Sequence, residues 1–178
     1  MIEILWHGRG GQGAFTAAKL LGAAYILHSD NSYSIAFPSF GPERRGAPIR
    51  AFTKLSNEPI GNRSEIEKAD YSIFLDDTLF FESSLLELKP NGKILLNTKR
   101  KFKDERIITI DANALATEIL KRPITNTIML GAFSSVFEEI YVKDIHSAIE
   151  EYMPPKLHEK NKAAVSAAAA IVTKGEKL

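Results

Sequence analysis

The sequence predicts an α/β fold, a three-layer α/β/α sandwich around a mostly parallel, mixed sheet, Rossmann-like in outline. Three observations carry that expectation. Short apolar runs alternate with helical stretches along most of the chain. "IEILW" (2–6) opens it as a buried strand running into glycine, and "WHGRGGQGAFTAAK" (6–19) reads as a tight turn that feeds directly into a helix. The 178 residues suit a single domain, 1–178, with no internal repeat or low-complexity tract to divide it.

Each element has its own justification. Residues 14–28 form a helix whose only full charge is Lys19, apolar almost all round. A surface helix keeps one polar face, so this one is expected to be covered by its own sheet and by something else. "YSIAFP" (33–38) is a strand ended by Pro38, and "IRAFTKL" (49–55) is another. Two consecutive strands without a helix between them predict one antiparallel pair. "YSIFLDD" (71–77) is a strand and "TLFFESSLLEL" (78–88) a helix, with Asp77 or Thr78 able to cap its first turn. "KPNGK" (89–93) reads as a turn, proline followed by Asn-Gly. Strands at 94–97 and 106–111 follow, then a helix at 112–121, one capped by Asn126, and two more near 143–153 and 156–174. The alanine-rich "AAVSAAAAIV" (163–172) suits close packing against a neighbour, in this chain or another.

Composition narrows the function classes. Hydrophobic residues make up 44%, charged residues 25%, and the net charge is +1, as in an ordinary soluble protein with no bias towards nucleic acid or an acidic membrane. There is no cysteine, which rules out thiolate nucleophiles and cysteine-ligated iron–sulfur clusters on this chain. The N-terminus lacks the basic start of a signal peptide, and 163–172 falls short of the roughly 20 residues that span a bilayer. A cytoplasmic location is the expectation.

The glycine turn is the first candidate site. Gly8, Gly10 and Gly13 have the spacing of a dinucleotide-binding loop, in which backbone N–H groups at a helix start meet an anion. Such a loop also needs an acidic residue at the end of strand two, to hold a ribose. Here that strand ends in "AFPSF", and Arg9 and Gln12 crowd the turn. A stand-alone NAD or flavin domain is therefore the alternative reading, and a tight turn without any ligand is another. The second candidate is "FPSFGPERRGAP" (37–48), stiffened by prolines, with Glu43, Arg44 and Arg45 at its centre. Adjacent arginines suit a phosphate or carboxylate. Both segments follow the carboxyl ends of strands, where α/β sheets bind ligands. No nucleophile–base pair stands out as catalytic. The four histidines lack metal-ligand spacing, and His7, beside the loop, is expected to be structural.

Together, "HGRGGQG" (7–13), "AFPSFGPERRGAP" (36–48) and "DYSIFLDDTLF" (70–80), with "NTIMLGAF" (126–133), closely resemble the gamma subunit of the 2-oxoacid:ferredoxin oxidoreductases, in particular the pyruvate and branched-chain members. The resemblance implies one subunit of a complex that converts a 2-oxoacid and coenzyme A to acyl-CoA and CO2. The electrons pass to ferredoxin or flavodoxin. It further implies alpha, beta and delta partner subunits that hold thiamine diphosphate, Mg and 4Fe-4S clusters. No cofactor is expected to be bound tightly by this chain, which would not be active alone. Coenzyme A contacts are possible at Gly8, Arg9, Gly10, Gly11, Gln12, Gly13, Arg44 and Arg45, and the same residues suit a subunit interface; both readings stay open. A pure scaffold is the third possibility.

Overall fold

The computed structural model describes residues 1–39 and 45–175. Six strands form one sheet in the order β2-β3-β1-β4-β5-β6: β1 Ile2–Arg9, β2 Tyr33–Pro38, β3 Pro48–Ser56, β4 Ala69–Phe74, β5 Leu88–Asn97 and β6 Ile107–Ile110. β1, β4, β5 and β6 are parallel, while β3 is antiparallel to both β1 and β2. The antiparallel pair expected from two strands without a helix is β2–β3, and β3 inserts between β2 and β1. All strands but β3 therefore point the same way. The link between β2 and β3 consequently lies at the edge where β1 ends.

Alternation along each strand divides the residues between two faces. Ile4, Trp6, Ala51, Leu55, Ile73 and Leu95 meet the helices α1 (Ala14–His28), α2 (Ala112–Leu115), α3 (Asn126–Phe133), α4 (Val142–Tyr152) and α5 (His158–Gly175) in the main core. On the second face, Phe74, Ile94 and Leu96 are covered by two 3-10 helices, Asp77–Leu79 and Glu82–Glu87, and by Phe102. Leu5 and Phe52 are covered by Ile66. The α/β class and the mixed sheet are as predicted, but this third layer is built of 3-10 turns and loops.

The apolar helix α1 is indeed covered on both sides, and its second cover is α4 and α3 of the same chain. The alanines of α5 let it approach α3 closely. A Cβ placed on Gly131 of α3 would stand 2.4 Å from the Val165 carbonyl oxygen of α5. Three local expectations need correction. The stretch 78–88 breaks into the two 3-10 helices because Phe80 must turn inward onto Phe74 and Phe102. The "KPNGK" turn lies inside β5, where pairing jumps from Ala69–Leu88 to Tyr71–Lys93, so Asn-Gly makes a bulge and not a reversal. The helix at 112–121 is α2 followed by a π-helical turn, Ala116–Leu120, ended by Lys121 at φ 55°.

Candidate functional site

β1 runs out at Arg9, and the next residue joins the β2–β3 turn. Gly10 N–H donates to Ala47 O (2.9 Å) and Gly46 N–H to Gly10 O (3.0 Å), with Arg45 bridged between them. The two glycine-punctuated segments thus meet at one rim of the sheet. Gly10 is buried in that junction, and Gly11 and Arg45 are exposed. Gly11, Gly13 and Gly46 sit at φ 95°, 80° and 82°, the left-handed region where a side chain is strained. Gly13 is the N-cap of α1. No side chain caps this helix and no acid occupies its first turn, so its positive end is not neutralised.

A carboxylate organises the rim from below. Asp76, just beyond β4, accepts from Arg9 Nε (3.0 Å), Gln12 Nε2 (3.1 Å) and both the backbone N–H (3.0 Å) and hydroxyl (2.5 Å) of Thr78. Arg9 Nη1 donates to Gly46 O (3.1 Å) and Nη2 to the Thr78 hydroxyl (2.8 Å). Gln12 Oε1 accepts from Arg9 N (2.7 Å). Burial pushes the Asp76 carboxyl up, but the Thr78 hydroxyl and amide, Gln12 and the Arg9 charge outweigh it and hold the group below the usual carboxylate range.

The residues singled out from sequence therefore divide by what they do. Gly8 packs against the helix start, where an added Cβ would stand 3.2 Å from that of Ala14. The Arg9 and Gln12 side chains are engaged within the rim, while Gly11 and Arg45 face outward. Arg44 and Glu43 lie outside the described residues. His7 points to the second face of the sheet, stacks on Phe74 (4.1 Å, 4°) and lies 3.1 Å from Glu87 Oε2, too poorly aligned for a hydrogen bond. Sequence reasoning missed Asp76 as the hub. It took the acidic pair 76–77 only as a strand end and cap, and nothing local says which loops such a carboxylate will hold. It also read Asn126 as a helix cap. Thr125 is the N-cap, and the Asn126 amide donates to Gly13 O (3.4 Å).

Residues 3–171 match the pyruvate ferredoxin/flavodoxin oxidoreductase family. The chain belongs to that family. Pyruvate synthase subunit PorC of Methanothermobacter marburgensis is 47% identical over 167 residues, covering 92% of this chain and 93% of the relative. The common subunit gamma of the pyruvate/ketoisovalerate oxidoreductases of Pyrococcus furiosus is 40% identical over 174 residues, covering 92% and 93%. The crystal structure of pyruvate oxidoreductase subunit PORC from Thermotoga maritima superposes with a TM-score of 0.80 at 33% identity, covering 95% of each chain. Within the family, this chain is a gamma subunit.

Membership disfavours a stand-alone dinucleotide-binding domain, and so does the sheet. In a dinucleotide fold the acid on strand two stands beside the glycine turn. Here β3 separates β2 from β1, so the end of β2 lies two strand spacings away, about 10 Å. That end carries Phe37 and Pro38 rather than an acid. Among the described residues, no three His, Asp or Glu side chains are grouped to hold a metal ion. None of the described helices is long and apolar enough to cross a membrane.

Proposed function

We propose that this chain is the non-redox gamma subunit of a complex with alpha, beta and delta partners. The complex oxidises a 2-oxoacid, pyruvate foremost, with coenzyme A, and passes the electrons to ferredoxin or flavodoxin in the cytoplasm. Thiamine diphosphate, Mg and 4Fe-4S clusters belong to the partners; a chain without cysteine does not fit a cysteine-ligated cluster. The contribution of this subunit, a single domain over 1–178, is a rim that receives the phosphates of coenzyme A.

One observation carries this reading: the Gly10–Arg45 backbone bridge joins the turn of the exposed Arg45 to the turn that leads into the uncapped start of α1. Backbone N–H groups and an arginine fork together suit a phosphate. Gly11 and Gly13 supply the close backbone, Gly8 and Gly10 let the turn pack on the helix start and on the neighbouring turn, and Arg45, with Arg44, supplies the charge. Arg9 and Gln12 serve by holding the turn. In the assembled complex, Arg45→Ala and Arg44→Ala should each raise the KM for coenzyme A while the subunits stay together. Dissociation of the complex with an unchanged KM would assign the arginines to a partner's carboxylates. The isolated chain should oxidise no 2-oxoacid with any acceptor, and turnover by it alone would overturn the reading.

A further inference from the structure

The Asp76–Asp77 pair is not absorbed by a phosphate-binding rim, since a carboxylate near an anion site should repel it. We infer that Asp76 is a positioning residue that fixes where Arg45 and the α1 start stand, without touching the ligand. The inference rests on the coenzyme A reading above.

Its basis is connectivity. Asp76 Oδ2 holds Arg9 and Gln12 together, and Oδ1 is satisfied by Thr78. Through Arg9 Nη1 the carboxylate reaches Gly46 O, the residue after Arg45. Gln12 takes the same carboxylate into the turn preceding α1, where its Oε1 receives Arg9 N–H. A single half-buried group thus joins the end of β4 to both ligand-facing turns, through two side chains. Leu75 N–H, donating to His7 O (2.9 Å), anchors that end of β4 to β1. Asp76 faces these donors with a side chain only 17% exposed, and the Arg9 guanidinium offsets its charge. Both turns carry left-handed glycines, whose backbone has the most freedom to lose, so an external tie is what makes the rim rigid. Preorganised donors bind more tightly because less ordering is left for the ligand to impose.

The sign of one measurement separates positioning from plain electrostatics. Asp76→Asn removes a negative charge near a polyanion. If charge were its whole role, the KM for coenzyme A would fall. The asparagine amide, however, sets a donor against the Arg9, Gln12 or Thr78 donors and breaks the tie. The expected result in the assembled complex is a KM for coenzyme A raised on the order of tenfold, about what one lost charge-assisted contact costs. The kcat at saturating coenzyme A and the KM for pyruvate should stay within about twofold, as expected when only ground-state binding of one substrate is lost. A residue that merely stabilised the fold would lower the amount of active complex and leave KM unchanged.

Arg9→Lys is the second variant, should Asp76→Asn assemble poorly. It keeps the charge but lacks the fork that spans Asp76, Thr78 and Gly46, and should give the same KM rise. Asp76→Glu, which keeps an acceptor-only group, should recover part of the affinity. Combined with Arg45→Ala, Asp76→Asn should add little, because both act on one contact. An unchanged or lowered KM in Asp76→Asn and Arg9→Lys, or fully multiplicative effects with Arg45→Ala, overturns the positioning role. If Arg45→Ala itself leaves the KM unchanged, the ligand reading and the positioning role fall together. If Arg45→Ala raises it and the Asp76 and Arg9 variants do not, only the positioning role falls.

Discussion

Gly131→Ala tests the packing that holds the helical layer together. An alanine Cβ there would stand 2.4 Å from Val165 O, 2.6 Å from its Cα and 2.9 Å from its carbonyl carbon, all backbone atoms that cannot swing away. Ordinary contact begins at 3.4 Å, so α3 and α5 must part by about 1 Å, the difference of 3.4 and 2.4. The buried bond from the Thr127 hydroxyl to Asn161 Oδ1, 2.7 Å long, bridges the same pair of helices and would stretch towards breaking. Overpacking costs about 1–3 kcal/mol and the hydrogen bond about 1 kcal/mol. Alanine returns about 1 kcal/mol of helix propensity. The net loss is about 2 kcal/mol, which for a chain of this size lowers Tm by about 4–8 °C. Thermal unfolding of the isolated subunit, followed by circular dichroism, measures this. Gly61→Ala is the control, because nothing lies within 4 Å of a Cβ at that loop position and its φ is unstrained. It should lose no stability. A Gly131→Ala midpoint within about 1 °C of the parent would refute the close-approach argument.

Two further outcomes follow from polar groups, one in the core and one half-buried. Trp6 Nε1 donates to the Thr53 hydroxyl (3.0 Å), which donates to Ala18 O (3.1 Å), all in the core. Thr53→Val should cost about 1–3 kcal/mol by leaving the buried Trp6 indole N–H without its acceptor, read in denaturant from the fluorescence of the single tryptophan; a loss under about 0.5 kcal/mol would count against it. Glu87 is held below its ordinary value of 4.5, chiefly by the His7 ring beside it and against the effect of burial, with Arg50 and Lys68 adding to the lowering. Its contribution is therefore complete above 4.5 and lost as pH falls through the lower folded value. Glu87→Gln should flatten the acid limb of the stability curve, so that wild type and variant converge at low pH. Parallel curves across that range would contradict the pairing.

Much of the fold was legible because local chemistry and tertiary structure agree. The helix at 14–28 and the strand at 33–38 have the bounds their punctuation predicts, Gly13 opening one and Pro38 closing the other. The antiparallel β2–β3 pair followed from a missing helix. The stretch 78–88 was misread because its local composition permits a helix. Only the second face of the sheet demands that Phe80 be buried while Phe81 and Leu86 stay out.

The sequence by itself determined the α/β class, the turn chemistry and the family, because glycine and proline constraints and apolar periodicity act within a few residues. Tertiary structure decided the rest. It brought Gly10 to Arg45, set the Arg9 guanidinium on Asp76, and covered α1 with α4 and α3 of the same chain. The physical reason is range: a guanidinium takes whichever carboxylate the sheet order brings within 3 Å, and Asp76 lies 67 residues along the chain from Arg9.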